Sequence, residues 1–455
     1  MISNMRLQNF KSWADTGPIR FAPITAFFGT NSSGKTSLLQ ALLLMKQSVE
    51  SQDRGKALEL DEKKASAYVN LGTFPNLLHQ HDTNREFGFD IRWSVESEFA
   101  YNDLPEPLEL RYNPIYSEIS FNTQLVYQSK QVVVREFQYH FEDVRGEIRF
   151  GMQAIADNGN VGDKYDLTYE NVDLISNTGN GKVLYSGPVK HYAFPDQVYR
   201  HFRNTDLLSQ LVSAYEQLFY GLHYIGPLRS PVERNYAWSG GRPVDVGIRG
   251  ENAIAILIAD QILPTPDQGV VAKKTAESLV KLGLIHSFNL RRINDGRDLF
   301  EVVVQQDAAS PEVPITDVGF GVSQILPVLV QCFAVQPGST LLLEQPELHL
   351  HPSAQSSLAD VLIDAAIDRE IQIVVESHSE HFLHRLQRRI AEQKIPASDA
   401  ALYFVSMQNG RSEIAELILD DYGNISNWPQ NFFGDIMGDL VAMTVAAADR
   451  QIREA

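Results

Sequence analysis

A single cysteine, Cys332, stands among 455 residues, so no disulfide can staple this chain and a reducing cytoplasm suits it. Long apolar runs are also missing. The densest, Leu38 to Met45, is interrupted by Gln40 and falls well short of the ~20 residues a membrane helix needs. The opening Met1-Ile2-Ser3-Asn4-Met5-Arg6 lacks the pattern of a secretory leader. Positive charge is scarce: 39 Lys and Arg against 57 Asp and Glu leave a formal net charge of −18. That excludes a surface basic throughout, though not a local groove at Arg385, Arg388 and Arg389 or at Arg229, Arg234 and Arg242. The plainer reading of such clusters, and the favoured one, is a solvated face. Sustained heptads, fixed-period repeats and low-complexity tracts are absent, which excludes a long coiled-coil arm or a solenoid. The length allows two or three domains.

What is present is a change of texture along the chain. Residues 1–30 read as strand, turn, strand, with Ile24-Thr25-Ala26-Phe27-Phe28 short, apolar and ending at Gly29. A helix apolar nearly all round follows Lys35, and Ser48 to Lys64 reads as a loop or frayed helix. From about 86 to 187, period-two runs such as Ile119, Phe121, Thr123 and Leu125 are broken by Gly, Asn and Asp, which predicts antiparallel hairpins. Residues 194–221 read as one helix, 223–226 as a strand, and 250–290 as mostly helical. From 338 onward strands and helices alternate, the pattern of an α/β fold with a mainly parallel sheet.

Gly29-Thr30-Asn31-Ser32-Ser33-Gly34-Lys35-Thr36-Ser37 contains the full G-x-x-x-x-G-K-[ST] pattern, between an expected strand and an expected helix. Glycines at its ends let backbone N–H groups turn around phosphate oxygens, and the helix start adds partial positive charge. Lys35 is expected to reach the β- and γ-phosphates of ATP, and the Thr36 hydroxyl to ligate Mg²⁺.

A second set of residues lies far downstream. Leu341-Leu342-Leu343-Glu344 is an apolar strand ending in a carboxylate, suited to a Mg²⁺ shell. Gln345, Glu347 and the run Leu348-His349-Leu350-His351-Pro352 follow. Ile373-Val374-Val375-Glu376 ends at Ser377-His378, where a histidine can reach the γ-phosphate or an attacking water. Gly319-Phe320-Gly321-Val322-Ser323-Gln324 precedes an apolar helix and offers a second anion-ready N-terminus.

In this order the motifs resemble those of the ABC ATPases that include structural-maintenance-of-chromosomes, RecF-like and overcoming-lysogenization-defect proteins. Leu7-Gln8-Asn9-Phe10-Lys11-Ser12-Trp13 is similar to their "NFKSF" opening. The stretch Gly29 to Thr36 looks like their Walker A, Glu344 like the Walker B acid and His378 like the switch histidine. Gly319 to Gln324 looks like a divergent signature motif. The nearest resemblance is to a prokaryotic branch with "EQPELHLHP", "THSEH" and a "WP.GFF"-like motif, here Trp428-Pro429-Gln430-Asn431-Phe432-Phe433. Those aromatics are expected to plug a core.

The resemblance implies a split ABC-type ATPase. Its expected parts are an N-terminal lobe over 1–85, a β-rich insertion over 86–190, a helical linking region over 191–315, a C-terminal lobe over 316–410 and a small domain over 411–455. It also implies a head-to-tail homodimer, or a higher oligomer, with Gly321 and Ser323 of one subunit meeting ATP held by the other. Many proteins of this branch lie in antiphage defence operons beside an effector gene. Some relatives carry a Toprim nuclease after the switch histidine; the 77 residues after His378 show no such acidic pattern, and no nuclease is expected among them.

One residue departs from the pattern. ABC enzymes place a glutamate after the Walker B acid, and here it is Gln345, which can orient water but cannot accept its proton. Either Glu347 supplies the carboxylate or hydrolysis is slow and ATP holds a long-lived dimer. His349, His351, His378, His381 and His384 invite a metal-site reading, but each also fits a loop, switch or cap position. The leading expectation is an ATPase acting as sensor or scaffold of a bacterial defence system that controls a nuclease or toxin in trans. The alternatives are a repair or chromosome-maintenance ATPase on duplex DNA, or a non-hydrolysing clamp.

Overall fold

In β1 (Ile2–Phe10) every other side chain turns inward, with Met5 and Leu7 buried, as expected for a strand covered on one face. It pairs antiparallel with β2 (Trp13–Asp15) and β3 (Ile19–Arg20). Both faces of β4 (Ile24–Gly29) are buried, the condition of a central parallel strand. The helix α1 (Lys35–Glu50) then runs through the middle of the molecule with most of its side chains buried. Short α2 (Phe74–Leu77) leads into β5 (Phe87–Ser94), β6 (Glu118–Gln128), β7 (Gln131–Asp143), β8 (Gly146–Asp157) and β9 (Asn160–Glu170).

The computed structural model describes residues 1–61, 67–95, 118–143, 146–157, 160–172, 174–177, 183–293, 298–429, 442–447 and 450. Among these, the strands of the expected insertion do not form a sheet of their own. β5 pairs with β1 through Met5↔Ile91 and Leu7↔Phe89, and the order is β2-β1-β5-β6-β7-β8-β9, antiparallel throughout. Without β5, β1 would keep an open edge on the side away from β2, so the hairpins extend it instead of starting afresh.

Two helices, α3 (Asp196–His201) and α4 (Asp206–Tyr220), replace the single helix expected over 194–221. The break has a local cause: Phe202 bridges Ser176, and the Arg203 N–H donates to the Ile175 carbonyl, so backbone needed for a continuous helix is used across the chain. After β10 (Leu222–Ile225) and β11 (Tyr236–Ala237) come α5 (Ala253–Ile262) and α6 (Val270–Lys281). The helical expectation to 290 fails at Gly283, whose φ of 70° ends α6. β12 (Ser287–Arg292), β13 (Leu299–Gln305) and β14 (Val313–Pro314) form a small antiparallel sheet with β11. Last come α7 (Phe320–Ala334), β15 (Thr340–Glu344), α8 (Pro352–Arg369), β16 (Gln372–Glu376), α9 (Glu380–Ala391), β17 (Ala400–Gln408) and β18 (Arg411–Glu416).

The site depends on the second large sheet, ordered β10-β15-β16-β4-β17-β18. Its strands are parallel except β18. β4 comes from the N-terminal end of the chain and its neighbours from the C-terminal half, so the two ends complete one sheet. Alternation sorts its side chains between two cores. Leu342, Val374 and Ala401 pack toward α1, while Leu341, Leu343, Ile373 and Val375 pack with α7 and α8.

Candidate functional site

The carboxyl ends of β15, β16, β4 and β17 lie side by side, with Glu344 opposite Glu376, Glu376 opposite Phe27, and Gly29 opposite Val405. Ligands of open α/β sheets gather at such an edge. The loop leaving β4 cannot tolerate a side chain at either terminal glycine. Gly29 has φ 137°, and a Cβ there would sit 1.9 Å from the Val405 carbonyl oxygen. Gly34 has φ 105°, and its Cβ would meet Ser412 Oγ at 2.4 Å and Ser12 Oγ at 2.8 Å. Both positions therefore require glycine.

Beyond Gly34 the first residues of α1 present Lys35, Thr36 and Ser37. Lys35 Nζ donates to the carbonyls of Gly29 at 3.1 Å and Thr30 at 2.7 Å, and burial lowers its pKa. Ser33 Oγ is buried with no hydrogen-bond partner among the described residues. A glycine-bounded loop at a helix start, with an orphaned hydroxyl and a buried ammonium, fits a polyphosphate. The loop is braced from behind: Trp13 Nε1 donates to the Gly34 carbonyl, and Ser412 Oγ to the Ser33 carbonyl at 2.6 Å.

The cavity over this loop is lined by Asn31, Ser32, Ser33, Gly34, Lys35, Thr36 and Ser37, and from elsewhere by Ser12, Gln345, Glu376 and His378. Glu344, expected to hold Mg²⁺, does not line it. Its carboxylate accepts from Tyr224 Oη at 3.0 Å, and its carbonyl from Arg229 Nη2 at 3.2 Å. Burial, then the nearby Glu376, pushes the Glu344 pKa up to about 7. Glu376, which sequence reasoning did not place in the site, takes the Thr36 hydroxyl on both oxygens, at 2.9 and 3.1 Å. Its only signal in the sequence was its place at a strand end one residue before Ser377-His378.

Glu347 is buried too. One carboxylate oxygen accepts from Ser377 Oγ and from the His378 backbone N–H, each at 2.8 Å. This geometry ties Glu347 to the switch loop, and Glu347 does not line the cavity, which disfavours it as a base. His378 itself faces the cavity, and burial, followed by Lys35, lowers its pKa. Gly321 and Ser323 stand in the first turn of α7, where Ser323 Oγ donates to the Phe320 carbonyl at 2.9 Å; neither lines the cavity.

Other expectations resolve locally. His351 caps α8, accepting from the Ser353 N–H, and His384 pairs with Glu380 and Gln387. Among the described residues no three His, Cys, Asp or Glu converge on a metal position. Arg385 and Arg389 are bound to Asp360, Arg388 to Glu392 and Arg234 to Asp317, so each of these arginines has an acidic partner. Trp428 is 42% exposed and stacks on His384 instead of plugging a core, while Phe432 and Phe433 lie outside the described residues. Among the described residues no helix is long and apolar enough to cross a membrane.

Comparison with known proteins agrees with the chemistry. Residues 1–105 match a family described as "AAA ATPase domain". Residues 193–383 match one described as "AAA domain, putative AbiEii toxin, Type IV TA system", and residues 395–443 one described as "Protein of unknown function (DUF3696)". No curated protein matches. Similar solved structures include an Smc head bound to the C-winged helix domain of ScpA, at 14% identity and TM-score 0.45, covering 92% of this chain and 98% of that one. The SMC head domain from Thermotoga maritima is 12% identical, with TM-score 0.38 and coverages of 92% and 99%. An Smc head with extended coiled coil, bound to the C-terminal domain of ScpA derived from Pyrococcus furiosus, is 14% identical, with TM-score 0.42 and coverages of 91% and 96%. The two stretches that meet at the phosphate loop match families described as an AAA domain and an AAA ATPase domain, and the fold they build is of the P-loop ATPase kind.

Proposed function

We propose that this protein is a slow, cytoplasmic Mg²⁺-ATP-dependent switch. It closes as a head-to-tail homodimer and controls a partner effector, a nuclease or toxin, in bacterial antiphage defence. The observation that carries the reading is Gln345: the residue that faces the cavity where a base is expected is an amide. In this reading Lys35 and the loop amides hold the phosphates. Gln345 and His378 orient water without a strong base to take its proton, so the bound state lasts. Gly321 and Ser323 stand away from their own chain's cavity, which supports their use by a second copy. The toxin–antitoxin description of the family matched by residues 193–383 supports an effector partner. The paired arginines and the acidic net charge of −18 disfavour the duplex-DNA alternative.

Steady-state turnover and molar mass in solution test this together, with Lys35→Ala as the blank. The expected result is ATP-dependent dimerisation with turnover below ~0.1 s⁻¹, under the usual enzyme range. A monomer with and without ATP, or rapid turnover, would remove the switch reading.

A further inference from the structure

We propose that Glu376 is the carboxylate of the divalent-cation shell in this ATPase, the place that motif order assigns to Glu344. The inference rests on the ATP-binding reading above and concerns which of the buried acids serves it.

Contact comes first. Thr36 occupies the position whose hydroxyl ligates the cation in P-loop proteins. That hydroxyl donates to both oxygens of Glu376, at 2.9 and 3.1 Å. A hydroxyl whose proton is held by a carboxylate turns its lone pairs elsewhere, which prepares it as a ligand. Glu376 therefore orients Thr36 and brings a carboxyl group beside it.

Position comes second. β16 pairs directly with β4, whereas β15 lies one strand further away. Neighbouring strands are ~4.8 Å apart, so Glu344 begins about that much further from the phosphate loop than Glu376. Of Glu344, Glu347 and Glu376, Glu376 alone lines the cavity. The other two are engaged elsewhere, Glu344 by Tyr224 and Glu347 by Ser377 and the His378 N–H.

Chemistry comes third. Mg²⁺ in nucleotide sites is held by one or two carboxylates together with substrate phosphates and water, not by an all-protein cage. One hydroxyl and one carboxylate facing the cavity is such a set, and it accords with the lack of a three-ligand cluster among the described residues. If Glu376 serves the cation, it is not a free base, and no carboxylate in the cavity compensates for Gln345.

The test is a Mn²⁺ titration of the full chain, read by electron paramagnetic resonance, with a non-hydrolysable ATP analogue present. Binding of a fluorescent ATP analogue without metal is measured in parallel. Glu376→Gln should weaken Mn²⁺ binding at least about tenfold, the loss typical of a shell residue. Metal-free nucleotide binding should be kept or tightened, because an acid beside the phosphates is removed, and Glu344→Gln should cost Mn²⁺ less than about threefold by the same comparison. Glu376→Asp keeps the charge but retracts it by one methylene. It should give an intermediate loss, and it carries the test if the glutamine variant does not fold. Mn²⁺ affinity retained in Glu376→Gln or in Glu376→Asp, or lost in Glu344→Gln instead, overturns the assignment while leaving ATP binding standing. A wild-type chain that binds no nucleotide removes both readings.

Discussion

One carboxylate oxygen of Glu347 holds the His378 backbone N–H at 2.8 Å, joining the loop after β15 to the loop after β16. The same oxygen accepts the Ser377 hydroxyl, so a single buried acid sets the path of the switch segment. An amide oxygen can accept those two bonds as well. Glu347→Gln should therefore keep ATP binding within about threefold of wild type. Glu347→Ala, which orphans buried donors, should lower stability by ~1–3 kcal/mol. Urea unfolding of the two variants checks this. Abolished hydrolysis in a folded, ATP-binding Glu347→Gln protein would instead make Glu347 the base.

Gln345 lines the cavity at the position where a glutamate is expected. Gln345→Glu should raise kcat by at least about tenfold, since a positioned base contributes ~10²–10⁴ when fully effective. Single-turnover hydrolysis of labelled ATP measures the chemical step directly. An unchanged rate would mean that proton transfer to residue 345 does not limit the reaction.

Gly29→Ala should be among the most damaging single-methyl additions in the molecule. The new Cβ would meet a backbone carbonyl at 1.9 Å, with φ in a region that side chains rarely adopt. Neither β4 nor β17 can give way without breaking their pairing, so a loss of at least ~3 kcal/mol is expected. Thermal unfolding without nucleotide reads this apart from any effect on binding.

Glu344 supplies a pH signature. Its pKa is pushed up to about 7 from an ordinary 4.5, by burial and then by Glu376. The folded state thus binds this proton more tightly than the unfolded chain does. Its stabilising contribution is full below the unfolded value and declines as pH rises from about 4.5 to about 7. The part lost is up to ~3–4 kcal/mol at about 1.4 kcal/mol per unit. Glu344→Gln should flatten the melting temperature across that window and melt higher than wild type at pH 8. Parallel curves for the two proteins would show that Glu344 does not titrate there.

The arginine-rich stretch of α9 was ambiguous in sequence between a basic groove and an ordinary surface. Asp360 lies on α8, more than twenty positions earlier, and is almost fully buried, yet it takes bonds from both Arg385 and Arg389. Pairing of this kind depends on how two helices cross, which no local pattern encodes.

The phosphate loop was legible because its physics is local. Left-handed glycines, a lysine and a hydroxyl at a helix start act within nine consecutive residues, from Gly29 to Ser37. The alternation of Ile119, Phe121, Thr123 and Leu125 is equally local, and it specified strands correctly. What those strands join was decided by the free edge of β1, and where a helix breaks was decided by the crossing of 175–177 with 202–203. Glu376 reaches Thr36 across 340 positions, because a parallel sheet brings strand ends together irrespective of their order in the chain. Sequence alone determined the phosphate-binding turn and the acids available to it. Only the strand order, set by long-range burial and register, decided which acid stands beside the hydroxyl.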